Sequence, residues 1–147
     1  MFADGGRMKI LDVASARNYS PLTLAFYGDA VYSELVRRKI IENGSCPSNK
    51  LHKAAIKKVC AEYQSRAYGI ILPMLTDEEA DILRRGKNAT GTTVPKSSNH
   101  RDYHRATAVE TLFGYLYLIG ALARAEEIFE VIYDDEGWNE TEAEASD

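Results

Sequence analysis

The sequence predicts a compact all-α domain. Apolar residues recur at helical spacing in five segments, and no segment shows the alternation of a half-buried β-strand or an internal repeat. The chain has 147 residues, 45% of them hydrophobic, which suits a single core. We therefore expect one helical domain over residues 1–133, followed by an acidic segment over residues 134–147.

Local signals place the first two helices. Ser20 is suited to cap a helix and Pro21 to occupy its first position, which predicts a helix over residues 21–41, ending before the Asn43-Gly44 turn. A second helix is expected from about residue 48 to residue 68.

Three further helices follow. The segment Thr76-Asp77-Glu78-Glu79 is a capping box and begins a helix that should end near Arg85-Gly86. Residues 86–98 (GKNATGTTVPKSS) have no period and are predicted to form a basic loop. A fourth helix is expected from about residue 101 to residue 119, and a fifth over residues 122–133.

The charge is unevenly distributed along the chain. Residues 134–147 carry seven acidic side chains and no basic ones, so this segment is expected to be disordered. Residues 1–133 carry 18 Lys and Arg against 15 Asp and Glu, and residues 37–105 carry 14 against seven. This excess indicates either a polyanionic partner or a solvated basic face, and charge alone does not separate the two.

Composition excludes several classes of protein. No apolar run reaches the length of a membrane span, and the first residues (MFADGGRM) lack a signal-peptide core, so a soluble, cytoplasmic protein without membrane partners is expected. Cys46 and Cys60 have neither the spacing of a zinc site nor that of a disulfide framework, and we expect both to be reduced.

Two carboxylates lie in otherwise apolar helices. Asp29 is the only charge in residues 22–32, and Glu110 is the only charge in residues 106–119. Gly28 and Gly114 lie nearby, where glycine is costly unless the backbones approach closely. We therefore expect these helices to cross at the glycines and to bring both acids to one divalent cation such as Mg²⁺. The alternatives are neutralisation by an internal base or a proton shared by the two acids.

Other catalytic chemistries fit poorly. No Glu has a His three residues later, so a ferritin-like di-iron site is excluded. The three histidines, His52, His100 and His104, lie among basic and polar residues, and no Gly-x-Ser-x-Gly motif accompanies them. Nucleophilic triad chemistry is therefore disfavoured.

The basic residues fall into groups that could follow a phosphate backbone. Lys50, Lys53 and Lys57 share one face of the second helix. Further candidates for contacts with nucleic-acid phosphates are Arg84, Arg85, Lys87, Asn88, Lys96, Arg101, His104 and Arg105. Beside metal-bound carboxylates, such groups favour phosphodiester hydrolysis, although a solvated lysine face is the alternative. Because no aromatic residue alternates regularly with the bases of the loop, a duplex is favoured over a single strand.

The motifs resemble a known family. Residues 24–31 (LAFYGDAV) are similar to the signature helix of the ribonuclease III catalytic domain, and residues 109–118 (VETLFGYLYL) are similar to its second acidic helix. The loop segments RGKNA (85–89) and TVPK (93–96) resemble those of the Mini-III ribonucleases. The resemblance covers about residues 19–133, and no double-stranded-RNA-binding domain is expected after the fifth helix.

This resemblance implies a ribonuclease III-type fold and an endoribonuclease that uses Mg²⁺, with Mn²⁺ as a substitute. It implies cleavage of double-stranded RNA by a homodimer, one strand per subunit, in maturation of the large-subunit (23S) ribosomal RNA precursor. Asp29 and Glu110 match the catalytic, metal-binding acids, and Phe26 matches an aromatic residue that enters a socket on the partner subunit.

Two departures from the wider family concern the metal. Ala25 stands where that family has a glutamate and Thr107 where it has an aspartate, as in Mini-III sequences. Activity is still implied, with fewer protein ligands on the metal. The competing hypothesis is a non-catalytic RNA-binding or ribosome-associated helical module, which the presence of both Asp29 and Glu110 disfavours.

Overall fold

The computed structural model describes residues 8–90, 94–96, 99–135 and 137. These residues form seven α-helices, one 3-10 turn and no β-strand, which confirms the all-α prediction. The helices are α1 (Val13–Arg17), α2 (Pro21–Ile41), α3 (Ser48–Val59), α4 (Ala61–Ile71), α5 (Asp77–Lys87), α6 (His100–Leu118) and α7 (Leu122–Asp134), and the 3-10 turn is Leu72–Met74. Residues 91–93 and 97–98 of the predicted loop, and 136 and 138–147 of the predicted disordered tail, lie outside the described residues.

Side-chain caps begin the long helices. The Ser20 hydroxyl accepts a hydrogen bond from the amide of Leu22 at 3.3 Å and caps α2. Thr76 and Glu79 form the reciprocal capping box of α5. The Asn99 side chain accepts from the first amides of α6. Each cap satisfies amide groups that a helix leaves unpaired at its start.

The prediction of a single helix over residues 48–68 is wrong. Cys60 is extended, with φ −70° and ψ 157°, and separates α3 from α4. α3 packs on α2, whereas α4 packs mainly on α6, so the chain must turn between them. α1 was not predicted, because five residues are too few to display a helical period.

α6 is the central helix and packs against α2, α4 and α5. Its middle residues, including Val109, Leu112 and Phe113, are fully buried. The ring of Tyr32 on α2 packs edge-on against the rings of Phe113 and Phe129. A helix surrounded in this way is apolar on all sides, which explains the composition of residues 106–119.

α2 differs from α6 because one of its faces has no cover within the chain. Leu24, Val31 and Tyr32 are buried, but Phe26 is 85% exposed and Ala30 is also exposed. The apolar composition of α2 therefore exceeds what the packing within one chain requires.

Among the described residues, no helix combines the length and apolarity that crossing a membrane requires. Cys46 and Cys60 are free thiols.

Candidate functional site

Two glycines bring the backbones of α2 and α6 into contact. A Cβ atom placed on Gly28 would lie 1.6 Å from the carbonyl oxygen of Glu110, and one placed on Gly114 would lie 2.0 Å from that of Leu24. No side chain larger than hydrogen fits at either position. The predicted crossing of the two helices at these glycines is therefore confirmed.

The crossing brings Asp29 and Glu110 together. The two carboxyl groups lie close enough for Asp29 to act directly on Glu110. Burial of Glu110, with the hydrogen bond and negative charge of Asp29, raises the pKa of the Glu110 carboxyl from 4.5 to about 9. At neutral pH Glu110 therefore keeps its proton in the metal-free chain. Asp29 is exposed, so the pair opens to solvent on the α2 side.

Glu79 shows what neutralisation by an internal base looks like in this fold. The residue is 7% exposed, and its carboxylate accepts hydrogen bonds of 2.9 and 2.8 Å from the Arg124 guanidinium. Arg124 holds the pKa of Glu79 below its usual value. The pKa of Glu110 is shifted in the opposite direction, because burial of its carboxyl group and the neighbouring acid Asp29 both favour the protonated form. Within the described part of the chain, no base neutralises Glu110 as Arg124 neutralises Glu79, so a cation bound between Asp29 and Glu110 would favour the ionised form of Glu110.

The donor set suits a hard divalent cation. Two carboxylates, one of them open to solvent, are the number of protein ligands that Mg²⁺ commonly takes, with water and substrate phosphate completing its shell. Among the described residues, no cluster of three or more His, Cys, Asp or Glu side chains is arranged to hold a metal ion. Asp29 and Glu110 would therefore have to share the metal with water and substrate oxygens.

Ala25 and Thr107 lie one helical turn before Asp29 and Glu110, respectively, and both are buried. The Thr107 hydroxyl donates a hydrogen bond of 2.9 Å to the carbonyl oxygen of Tyr103. The hydroxyl proton of Thr107 is thus engaged in a hydrogen bond within α6. Neither position supplies a carboxylate to the crossing.

Several predicted RNA-binding residues gather at the start of α2. An open cavity of about 440 Å³ is lined by the first residues of α2 and by Arg84, Arg85 and Asn88. The amides at the start of a helix and its dipole favour anions, and the arginines add positive charge. This cavity can accommodate a phosphate group.

Arg85 also has a structural role. Its guanidinium donates a hydrogen bond of 2.9 Å to the carbonyl oxygen of Arg17 and one of 3.5 Å to that of Tyr19. These bonds fix the segment that leads into α2. Arg84 is paired with Asp81 on the same helix. Both arginines thus border the cavity while engaged in contacts within the chain.

A second group of basic side chains lies around Tyr68. Tyr68 was not identified from the sequence as part of a site. The Lys87 ammonium lies 5.8 Å from the centre of the Tyr68 ring, and the Arg105 guanidinium lies 5.1 Å from it. These cation–π contacts hold bases from α5 and α6 beside one tyrosine of α4. No local pattern could have revealed the group, because its three members come from three helices.

The remaining predicted RNA-binding residues occupy other positions. Lys50 and Lys53 are exposed on α3, and Lys57 is half-buried on the same helix. Lys96 is exposed in the segment before α6, Arg101 is exposed in its first turn, and His104 is half-buried one turn later. Arg84 and Arg85 lie near the start of α2, which is about 31 Å long. α3, which carries Lys50, Lys53 and Lys57, follows α2 after a short connection and packs against it.

Comparison with known proteins places the chain in a family. The ribonuclease III domain family matches residues 22–120. A Mini-ribonuclease 3 of Symbiobacterium thermophilum is 39% identical over 83% of this chain and 94% of its own length. A Mini-ribonuclease 3 of Thermoanaerobacter is 42% identical over 84% of this chain and 87% of its own length.

A solved structure agrees with the fold. The crystal structure of a Fusobacterium nucleatum protein superposes with a TM-score of 0.71 at 33% identity, covering 81% of this chain and 96% of that one. Residues 22–120, which the ribonuclease III domain family matches, contain both carboxylates and both glycines of the α2–α6 crossing. From the family match and these similarities, the chain belongs to the ribonuclease III family and is an endoribonuclease of that type.

Proposed function

We propose that this chain is a Mg²⁺-dependent nuclease that cuts both strands of double-stranded RNA as a homodimer and acts on the large-subunit ribosomal RNA precursor. The observation that carries the proposal is the close approach of α2 and α6 at Gly28 and Gly114, which brings Asp29 and Glu110 together. A carboxyl pair that keeps a proton in the absence of metal is suited to exchange that proton for a cation.

The roles of the two acids follow from their surroundings. Asp29 and Glu110 would hold the metal, which when bound supplies an activated water and stabilises charge on the scissile phosphate. Asp29 is exposed on α2 and would face the substrate, while Glu110 lies at the close backbone contact of the glycine crossing. Lys50, Lys53 and the cavity at the start of α2 would bind phosphates away from the reacting bond.

Cleavage assays test the activity directly. The purified chain is incubated with a blunt RNA duplex, with the same duplex in DNA and with single-stranded RNA, each with Mg²⁺, with Mn²⁺ or with chelator. We expect both RNA strands to be cut in the duplex with either metal, and no product with chelator. Equal cleavage of single-stranded RNA, or cleavage in chelator, would contradict the proposal.

The dimer is supported by the uncovered face of α2. Phe26 is 85% exposed, and the side chains that follow it at helical spacing lead toward Ile41, which is 55% exposed. Near that end of α2 lies an apolar cavity of about 140 Å³, lined in part by Ile40, Ile41 and Leu51. In a twofold, antiparallel pairing of α2 helices, Phe26 of one subunit would reach this cavity of the other. The two carboxylate pairs would then serve opposite strands of one duplex.

Replacing Phe26 by Ala should dissociate the dimer. Loss of a fully buried phenyl ring costs about 3 kcal/mol or more, equivalent to roughly a 100-fold rise in the dimer dissociation constant. Sedimentation velocity at several concentrations measures the change, and RNA cleavage should fall with it. The control is Leu122→Ala on α7, a residue that is 48% exposed in the isolated chain. A wild-type chain that remains monomeric at micromolar concentration while cutting both strands would contradict the dimer.

Neutralising one base at the end of α5 and one in the segment before α6 should weaken binding to all duplexes alike. A Lys87→Ala, Lys96→Ala variant is expected to lower affinity independently of sequence and to flatten the dependence of log K on log salt by about one unit per lost contact. Binding is measured in chelator to prevent cleavage, with Lys9→Ala, an exposed lysine near α1, as the control. Unchanged affinity and salt dependence would remove these residues from the RNA surface.

The ribosomal substrate is tested separately. A transcript of the paired ends of the large-subunit precursor is compared with an unrelated duplex of equal length. We expect cleavage at defined phosphodiester bonds of the precursor and a higher kcat/KM for it. Equal rates and unspecific positions on both duplexes would leave the nuclease activity intact and contradict this substrate.

A further inference from the structure

α3 presents a strongly basic surface. Its sequence, SNKLHKAAIKKV, contains four lysines and a histidine and no acidic residue. Lys50 and Lys53 are exposed on this helix, and within the described part of the chain neither forms an ion pair. A helix with this composition attracts a flexible polyanion as readily as it attracts RNA.

The C-terminal part of the chain is held beside this helix. The Arg66 guanidinium on α4 donates a 3.1 Å hydrogen bond to the carbonyl oxygen of Asp135 and also pairs with its carboxylate. The amide of Gly137 donates to the same carboxylate at 2.8 Å. At the end of α7, the Tyr133 ring centre lies 5.3 Å from the Lys58 ammonium of α3. The chain therefore leaves the folded domain next to the C-terminal end of α3.

The residues beyond this anchor complement α3 in charge and length. Residues 138–147 (WNETEAEASD) contain four acidic side chains and no basic one. Ten extended residues span about 33 Å, whereas the 12 residues of α3 span about 18 Å. The acidic segment can thus reach every lysine of α3 from its anchor on Arg66.

We propose that residues 138–147 dock on the lysine face of α3 and compete there with RNA phosphates. The proposal rests on the proposed function in one respect, namely that α3 contributes to RNA binding. Each ion pair at an exposed helix face is weak, but the anchor at Asp135 gives the segment a high effective concentration. A duplex with many phosphates displaces the segment, while a short or weakly charged RNA does not. The acidic segment thereby raises the selectivity for extended duplexes.

The first test measures RNA binding by the full-length chain. A Glu140→Gln, Glu142→Gln, Glu144→Gln variant is compared with wild type for duplex affinity in chelator, at low and at high salt. We expect roughly three- to tenfold tighter binding at low salt and little difference at high salt, because the competing contacts are screened.

A double-mutant cycle separates docking on α3 from a general gain in charge. The same three Glu→Gln changes are introduced into a Lys50→Gln, Lys53→Gln background. If the acidic segment acts through α3, its neutralisation should have much less effect there. An equal gain in both backgrounds would show a non-local charge effect and overturn the proposal, as would no gain in either.

The second test uses no RNA and does not depend on nuclease activity. Limited acetylation followed by peptide mass spectrometry gives the reaction rates of Lys50 and Lys53, with Lys9 as an internal reference. Both lysines should react two- to threefold more slowly in wild type than in the Glu→Gln variant, and this protection should vanish at high salt. Equal rates overturn the docking. Protection in a chain that fails to cut RNA would refute the proposed function and retain the docking.

Discussion

Replacing Asp29 by Asn, or Glu110 by Gln, is expected to lower the rate of duplex RNA cleavage by about 10³-fold or more. Each change removes one of the two charges available to a metal ion, and Lewis-acid activation and charge stabilisation supply several kcal/mol to such reactions. The two variants should fold and bind duplex RNA in chelator nearly as wild type does, because phosphate contacts are made elsewhere. Single-turnover cleavage and equilibrium binding separate these two effects.

A matched control for these variants is Glu126→Gln on α7. Glu126 is an exposed acid whose carboxylate pairs with Arg38 at 3.0 Å. Its loss removes the same charge far from the α2–α6 crossing and should leave cleavage within twofold of wild type. If Asp29→Asn or Glu110→Gln, once shown to be folded, cuts near the wild-type rate, the carboxylate site is wrongly assigned.

The raised pKa of Glu110 predicts a pH dependence that is unusual for an acid. Between pH 4.5 and about 9, the folded metal-free chain holds a proton that the unfolded chain has released. The contribution of this bound proton to the free energy of unfolding is therefore fully present below pH 4.5. It is lost as the pH rises through the pKa of Glu110 in the folded chain. Metal binding releases the proton, so Mg²⁺ affinity should increase with pH.

Thermal unfolding at several pH values measures this effect. The Tm of the metal-free wild type should fall between pH 6 and pH 8.5 by more than that of Glu110→Gln, which has no proton to lose. Mg²⁺ should raise the Tm of wild type more at the higher pH. Parallel pH profiles for the two proteins would show that the pair does not share a proton.

Replacing Gly28 by Ala should destabilise the fold by at least about 3 kcal/mol. The added methyl group would lie 1.6 Å from the carbonyl oxygen of Glu110, and backbone cannot move aside as a flexible side chain can. α2 and α6 would have to separate, which would also change the distance between Asp29 and Glu110. Chemical denaturation measures the loss of stability, and activity should fall with it.

Gly69 provides the control for this change. It also lies inside a helix, α4, but a Cβ atom there would have nothing within 4 Å apart from its chain neighbours and the backbone of its own helix. Gly69→Ala should therefore stabilise the chain by up to about 1 kcal/mol, the difference in helix propensity. A Gly28→Ala variant that folds with unchanged stability would contradict the close crossing of α2 and α6.

Local chemistry in the sequence determined much of the fold. The Ser20-Pro21 start of α2 and the Thr76–Glu79 capping box identify helix starts, because these residues satisfy amides within one turn. The carboxylate pair was also predictable, since a charge and a glycine in each of two apolar helices are costly unless the helices meet there. The helix starts could be predicted because a cap involves only residues close in sequence. The carboxylate pair could be predicted because a close crossing of the two helices accounts for both the buried charges and the glycines.

The break at Cys60 was decided by the tertiary structure. Residues 48–68 contain no Gly or Pro and carry no local stop signal, so they were predicted as one helix. α3 packs on α2 and α4 packs mainly on α6, and the direction required by each contact forces an extended residue between them. The basic group around Tyr68 is likewise assembled from three separate helices.

The exposure of Phe26 could not be predicted from the sequence either. The composition of α2 identifies it as a helix in need of apolar neighbours, but it does not say which side lacks them. α6 covers the side that bears Gly28, and Phe26 is left 85% exposed on the uncovered side. Composition determines how much apolar surface a helix must bury, whereas the packing of the other helices decides which part stays uncovered, because burial depends on contacts between residues distant in sequence.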